Sequence, residues 1–153
     1  MNKNLFRISP IVLTIALITG CILHNNVFNT PDIVLKKDGQ LCISIPENEN
    51  FFYSKKEYSI LTTEVFQTGN GQLWKKNYFY PSEPYYVKNQ ECLYFNYHFQ
   101  NNIFYTISFI STEKGNNENQ KSTQKTWIRF VRIIKKQDGT MQLLLDAEAS
   151  GYS

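Results

Sequence analysis

From residue 32 onward, short apolar runs alternate along the chain with turn signals. Asp38-Gly39, Thr68-Gly69-Asn70-Gly71 and Asp138-Gly139 each separate two such runs, and glycine-containing turns of this kind favour β-hairpins. No stretch beyond residue 30 shows ten residues of helical periodicity. The pattern predicts an all-β domain, an antiparallel Ig-like β-sandwich of about seven to eight strands, with a small β-barrel as the alternative architecture.

The positions of the strands follow from these runs. They are predicted at residues 32–37, 41–45, 58–66, 73–79, 92–99, 103–112, 127–134 and 141–145. Strict alternation in the third run places Ile60 on one face and Val65 on the other, and in the fifth it places Leu93 and Phe95 opposite His98. Residues 80–86 contain two prolines and are predicted as a loop or an edge strand. Residues 113–125 have no apolar side chain and are predicted as a long loop.

The first 20 residues resemble the signal peptide of a bacterial lipoprotein. Lys3 and Arg7 precede an apolar run of about 13 residues, shorter than the roughly 20 residues of a membrane-spanning helix. The run closes on Leu-Ile-Thr-Gly-Cys21, which resembles a lipobox and makes Cys21 the predicted site of acylation. The alternatives are an ordinary secretory signal with a free cysteine and a short uncleaved anchor.

A lipidated Cys21 would anchor the chain to a membrane without any contact from the protein itself. Ile22 stands where aspartate is the usual signal for inner-membrane retention, so the resemblance implies the periplasmic face of the outer membrane. Residues 21–31 are then the lipidated cysteine and a tether, and residues 32–153 are the β-sandwich domain. Without Lys3 and Arg7, 14 basic side chains balance 13 acidic ones, which gives no electrostatic basis for nucleic-acid binding.

The cysteine count fits an oxidising compartment. Of three cysteines, lipidation of Cys21 leaves Cys42 and Cys92, and an even pair predicts one disulfide. These two lack the spacing of a zinc motif, and His24 and His98 are the only histidines, so they form no convincing zinc site. We predict neither a metal nor a cofactor.

Signatures of catalysis are missing from the sequence. It contains no GxSxG, HExxH, glycine-rich phosphate loop or CxxC motif. We expect His98 to be a half-exposed strand residue, while Asp38 and Asp138 belong to turns. The glutamates mark no pair of the kind that glycosidases use. The sequence therefore predicts a binding protein without catalytic residues.

Aromatic residues are concentrated in and beside the predicted loops. Tyrosine and tryptophan dominate the energetics of protein interfaces because they bury a large area with few rotatable bonds. We therefore predict a partner-binding edge, with the alternative that the same rings pack beneath loops and cap the core. The predicted residues are Phe51, Phe52, Tyr53, Trp74, Tyr80, Tyr85 and Tyr86.

Three further motifs carry a family resemblance. They are Lys-Lys-Asp-Gly-Gln-Leu-Cys42-Ile-Ser-Ile, Leu-Trp74-Lys-Lys and Glu-Cys92-Leu-Tyr-Phe-Asn-Tyr-His-Phe. Together with the lipobox they resemble small periplasmic lipoproteins assigned to type VI secretion immunity. The resemblance implies a protein that binds and neutralises a secreted toxin, that touches the membrane only through its lipid, and that pairs its two remaining cysteines.

Two other classes of function stay open at this point. One is a structural or accessory lipoprotein of an envelope or secretion assembly. The other is a carbohydrate-binding module, because exposed aromatic rings also stack on sugars. A neighbouring gene for a secreted effector would favour immunity, whereas glycan binding without a protein partner would favour the module.

Overall fold

The computed structural model describes residues 28–47, 56–78, 84–113 and 123–151. These residues form nine strands and one helix of five residues. The strands are β1 (Phe28–Asn29), β2 (Asp32–Leu35), β3 (Leu41–Ser44), β4 (Glu57–Gln67), β5 (Gly71–Asn77), β6 (Tyr85–Lys88), β7 (Phe104–Glu113), β8 (Gln124–Lys135) and β9 (Met141–Leu145), and the helix is α1 (Asp146–Ser150). The predicted all-β class is confirmed. The first strand begins at Phe28, inside the segment predicted as a tether.

Seven of the strands form one open sheet. Its main order is β1-β8-β7-β4-β5. Strand β6 pairs with the same edge of β4 as β5 does, and β9 pairs with the same edge of β8 as β1 does. Every pair is antiparallel except β1 and β8, so the sheet is mixed rather than wholly antiparallel as predicted. Strands β2 and β3 form a separate sheet. Because the large sheet does not close on itself, the architecture fits a sandwich and not the alternative barrel.

The core lies between the β2–β3 hairpin and one face of the large sheet. Ile43 of β3 is fully buried, as are Val65 and Ile107 of the central strands. The Trp127 ring stacks on the Phe109 ring with centroids 5.6 Å apart. Each large apolar side chain buried in this way contributes about 1.5–3 kcal/mol, so the contact between the two sheets is the main source of stability.

The alternation predicted for β4 fails at one point. The ladder between β4 and β7 shifts register between Ile60 and Thr62, as it does where a β-bulge adds one residue to a strand. The extra residue turns the second half of β4 over, so Ile60 and Val65 both point into the core, 1% and 0% exposed. The prediction that placed them on opposite faces is wrong.

Residues 92–99, predicted as a strand, pair at only one position among the described residues. Leu93 bridges Ile43 of β3, and its amide donates to the Ile43 carbonyl at 2.7 Å. The predicted alternation nevertheless holds, since residues 93, 95, 97 and 99 are less exposed than residues 94, 96 and 98 between them. We call residues 94–100 the extended segment.

The predicted edge character of residues 80–86 is confirmed where the structure describes them. Strand β6 pairs with β4 on one side only, and the proline ring of Pro84 precedes it. The predicted loop 113–125 falls mostly outside the described residues, with β7 ending at Glu113 and β8 starting at Gln124.

Candidate functional site

The structure describes part of the predicted partner-binding set. Trp74 lies on β5, and Tyr85 and Tyr86 lie on β6. Outside the described residues lie Cys21, Phe51, Phe52, Tyr53 and Tyr80. The site is built below from the described residues and their neighbours.

An aromatic cluster brings Trp74 and Tyr85 together at one edge of the domain. The Trp74 ring packs on Phe95 with centroids 5.5 Å apart, and the Tyr85 ring packs on Tyr78 at 4.9 Å. Both β5 and β6 pair with the same edge of β4, which places these rings side by side against the extended segment. We call Trp74, Tyr78, Tyr85, Tyr94 and Phe95 the aromatic cluster.

Hydroxyl groups fix the rings of this cluster. The Tyr94 amide donates to the Tyr85 hydroxyl at 2.9 Å. The Tyr78 hydroxyl lies 3.4 Å from Thr63 Oγ1 and 3.5 Å from the Tyr94 carbonyl oxygen. Burial raises the pKa of Tyr85 above its ordinary value. Rings held in this way lose little freedom when a partner docks on them.

Lys76 adds a positive charge to the cluster. Its Nζ lies 5.0 Å from the ring centroid of Tyr78 and 5.8 Å from that of Tyr94, within the range of cation–π attraction. The Tyr94 side chain is 59% exposed, so both groups face solvent. The aromatic-rich stretches of the sequence include Tyr78 but point to neither Lys76 nor Tyr94 as interface residues, although alternation along β5 puts Lys76 on the same face as Trp74.

Tyr86 points away from the cluster. Adjacent strand residues face opposite sides of a sheet, and Val87 lies in the core at 2% exposure whereas Tyr86 is 40% exposed. Tyr85 shares the face of Val87. The prediction treats Tyr85 and Tyr86 as one surface, and the structure separates them.

The Cys42–Cys92 disulfide fixes the start of the extended segment. The two Cα atoms are 5.0 Å apart, and each cysteine adjoins a residue of the Ile43–Leu93 bridge. The predicted pairing is thus present in the structure. The bond ties the small sheet to the extended segment and so holds in place the two walls of the groove described next.

A groove of about 680 Å³ lies beside the aromatic cluster. The turn of the β2–β3 hairpin forms one wall, residues 94–101 form the other, and Met141 of β9 completes the lining. The antiparallel register of the Ile43–Leu93 bridge, if continued, would set Leu41 opposite Phe95. No hydrogen bond joins these two residues in the described part of the chain, and the groove opens between them. Its volume lies within the range of ligand-binding clefts.

The inner side of the extended segment packs on Tyr105 of β7. The Tyr97 and Phe99 rings meet the Tyr105 ring edge-on, with centroids 5.8 and 5.3 Å away. The Gln100 amide donates to the Tyr105 hydroxyl at 3.0 Å. Burial, with a contribution from the Tyr105 hydroxyl, raises the pKa of Tyr97 to about 12. The extended segment is therefore held at both ends and along one side.

The opposite face of the large sheet carries a second aromatic patch. Phe104 and Phe130 stack with centroids 5.6 Å apart, and the guanidinium carbon of Arg132 lies 5.8 Å from the Phe104 centroid. Phe130 is 42% exposed. We call Phe104, Phe130 and Arg132 the outer patch, and Tyr86 lies on the same face of the sheet.

The described residues offer little to hold a metal ion. Among them no three His, Cys, Asp or Glu side chains are grouped as metal ligands. Glu64 pairs with Lys75 at 2.6 Å and Glu113 pairs with Lys56. Within the same ranges, no helix has the length and apolar character needed to cross a membrane.

Comparison with known proteins identifies a family at the level of the domain. A family model described as a domain of unknown function, DUF7480, matches residues 28–136. The match begins at the first residue of β1 and contains both disulfide cysteines, the aromatic cluster and the groove wall formed by the extended segment. Among curated proteins and among solved structures, no significant match was found.

Proposed function

The chain belongs to the DUF7480 family, a domain of unknown function, and we propose that it is a periplasmic immunity lipoprotein. In this role it binds and neutralises a type VI secretion effector. The observation that supports this most directly is the aromatic cluster, with Tyr94 and Lys76 exposed at its rim. Aromatic and cationic side chains grouped on a rigid support are typical of the few residues that dominate a protein interface.

Inhibition by occlusion explains how such a domain neutralises a toxin. The inhibitor covers the active site of its partner and carries out no chemistry itself, so it needs a surface that exists before the partner arrives. The Cys42–Cys92 bond and the hydrogen bond from the Tyr94 amide to the Tyr85 hydroxyl hold the cluster in one arrangement. Such preorganisation reduces the ordering cost of association.

The anchor and the compartment rest on the sequence. Acylation at Cys21 in the Leu-Ile-Thr-Gly-Cys box would retain the domain at the periplasmic face of the outer membrane, where a delivered effector arrives. We expect Cys21→Ala to abolish labelling by a clickable fatty acid and to release the protein from the membrane fraction. Cys92→Ala is the matched control and should keep the label. Continued acylation of the Cys21→Ala protein would exclude this anchor.

Protection of a sensitive cell tests the function itself. A secreted protein encoded beside this gene would be the candidate effector; it is directed to the periplasm while the full chain is co-expressed. We expect the full chain to restore growth and, when tagged, to capture the same effector from a periplasmic extract. If deletion of the gene leaves survival unchanged in competition and no effector is captured, the protein is a structural or accessory lipoprotein instead. Binding on a glycan array without a protein partner would assign it to carbohydrate recognition.

A further inference from the structure

The extended segment presents an unused main-chain edge to the groove. Within the described part of the chain, no main-chain amide or carbonyl of residues 95–99 has a hydrogen-bond partner. An unpaired extended edge is a template for the addition of another strand. The Tyr85 and Tyr105 hydroxyls accept from the amides of Tyr94 and Gln100, so the edge is already extended before a partner binds.

Side chains around the groove fit an incoming strand. Phe95 packs inward on Trp74, whereas Asn96 and His98 are exposed and leave room for a neighbouring backbone. Across the groove, Leu41 and Met141 provide apolar contact. Residues 95–99, when extended, are about 17 Å long, so the edge has room for an added strand of five residues.

Four lysines lie near the hairpin end of the groove. Hydrogen bonds from Thr140, with a smaller contribution from one of these lysines, Lys136, lower the pKa of Asp138. Lys36-Lys37 and Lys135-Lys136 are exposed at the two hairpin turns. The two turns lie close together: the Met141 side chain, just after the second turn, approaches Gly39 of the first so closely that a Cβ there would lie 3.1 Å from Met141 Sδ. None of these four lysines forms an ion pair with a described residue. They lie beside the hairpin end of the groove, in or next to the turns, while the lining itself contains Asp38 and no lysine.

The aspartates nearby accept hydrogen bonds within their own turns and keep their negative charge. Asp38 Oδ1 accepts from the Gln40 amide at 3.0 Å. Asp138 Oδ1 accepts from the amide and the hydroxyl of Thr140 at 2.8 and 2.6 Å. With Lys76 on the opposite side beside Tyr94, the rim has more lysines than carboxylates and carries a positive potential.

We infer that this groove binds an extended acidic segment of a protein partner, which adds as a strand along the main-chain edge of residues 95–99. Two complementarities select this occupant: free amides and carbonyls match those of an extended backbone, and the lysine rim matches carboxylates. The inference rests on the proposed function only in that the natural partner would be the neutralised toxin. It gives that partner a chemical description, and it can be tested without knowing the toxin.

Three synthetic peptides of ten residues separate main-chain pairing from charge. The first alternates glutamate and valine, the second is the same peptide with every amide N-methylated, and the third alternates lysine and valine. Added to the ¹⁵N-labelled full chain, the first peptide should shift the amide resonances of residues 95–99 and slow their hydrogen exchange. N-methylation, which removes donors without changing charge, should weaken binding at least tenfold, and so should the lysine peptide.

Charge reversal supplies the matched protein variants. The double variant Lys36→Glu, Lys37→Glu should weaken the acidic peptide at least fivefold, and the difference should diminish in high salt because screened charges interact weakly. Lys88→Glu reverses one charge at an exposed position outside the groove, half the charge change of the double variant, and should bind as the wild type does. Equal affinity for the methylated and unmethylated peptides would overturn the inference, as would shifts confined to the outer patch. Concentration-dependent protection of residues 95–99 without peptide would assign the edge to a second copy of this chain and overturn it too.

The two proposals fail in different ways. If the Lys36→Glu, Lys37→Glu variant captures the toxin and protects cells as the wild type does, immunity stands and the groove is not the toxin site. If the acidic peptide pairs with residues 95–99 but no effector is captured and deletion of the gene leaves survival unchanged, the groove stands and immunity is overturned.

Discussion

Arg129 on β8 is paired with Asp146, the first residue of α1. Its Nε lies 3.1 Å from Asp146 Oδ2, and its Nη1 donates to the Pro31 carbonyl at 2.8 Å. Asp146 has a φ of 51°, in the left-handed region, and Ala149 of the same helix is fully buried. One side chain therefore fixes both the helix after β9 and the link between β1 and β2 against the edge of β8.

Loss of this guanidinium should destabilise the domain more than loss of its carboxylate partner. We expect Arg129→Ala to lower the free energy of unfolding by about 1–3 kcal/mol, because the carbonyl of the buried Pro31 loses its donor. Asp146→Asn should cost less, about 0.2–1 kcal/mol, since the Asp146 side chain is half exposed and asparagine tolerates the left-handed conformation. Urea unfolding measures both changes. Equal losses for the two variants would contradict the role given to the Pro31 contact.

The disulfide should contribute more than any single polar contact. Cys42→Ala with Cys92→Ala is expected to lower the free energy of unfolding by about 2–5 kcal/mol, the usual range for a bond that closes a long loop in a small secreted domain. Reduction of the wild type should give a similar loss, whereas the double variant should be insensitive to reductant. Peptide mapping of the purified protein without reductant checks the bond directly, and two free thiols there would refute it.

Raised tyrosine pKa values predict a loss of stability in alkali. Tyrosine ionises near pH 10 in an unfolded chain, whereas the pKa of Tyr97 is about 12 in the folded domain. Between these values the unfolded state binds fewer protons, so stability falls as pH rises. The contribution is complete below pH 10 and is lost through about pH 12. The pKa values of Tyr58 and Tyr85, which burial also raises, act in the same direction.

Tyr97→Phe isolates this effect. Its free energy of unfolding, measured in urea between pH 9 and 12, should decline less steeply than that of the wild type. Tyr94→Phe is the control, because its ring is 59% exposed, and it should follow the slope of the wild type. An unchanged slope in Tyr97→Phe would show that another group causes the alkaline loss.

Hairpins were predictable from the sequence because their turn residues determine the local backbone. Gly39 and Gly139 adopt φ values of 80° and 84°, which glycine reaches without strain. Both hairpins that contain them, β2–β3 and β8–β9, form where the Asp-Gly pairs predict them. The disulfide was predictable for a different reason, since the acylation expected at Cys21 would leave Cys42 and Cys92 as the one possible pair.

Two features were not predictable from local patterns. They are the bulge in β4 and the main-chain edge of residues 95–99, which has no partner among the described residues. Nothing in the alternation between Ile60 and Val65 marks an extra residue, and packing against β7 decides its place. Residues 92–99 alternate as a paired strand does, because their inner side chains pack on the core, but alternation reports burial and not hydrogen bonding. The contact of Trp74 with Phe95 depends on strand order, so the sequence identified Trp74 without Tyr94 or Lys76 beside it.

The geometry of the aromatic cluster identifies a better residue for a binding test than the sequence alone did. From the sequence, alanine at Tyr80, Tyr85 or Tyr86 should weaken partner binding without affecting the melting temperature. Tyr85 no longer suits that test, because its half-buried ring packs on Tyr78 and its hydroxyl accepts from the Tyr94 amide. Tyr94→Ala replaces it, since this side chain is mostly exposed and lies on the rim of both the cluster and the groove.

We expect Tyr94→Ala to weaken binding of the captured effector by more than 1 kcal/mol, about a fivefold or greater rise in Kd. Tyr94 lies where the cluster meets the groove, so it would be central in an interface that covers both, and a central aromatic side chain commonly contributes that much. The melting temperature of the variant should stay close to that of the wild type. Tyr86→Ala removes an exposed tyrosine from the face of β6 that points away from the aromatic cluster, and it should leave the affinity unchanged. Titration calorimetry with the purified effector compares the two. If Tyr86→Ala weakens binding and Tyr94→Ala does not, the interface lies on the face of the outer patch, and the toxin approaches the large sheet from the side opposite the groove.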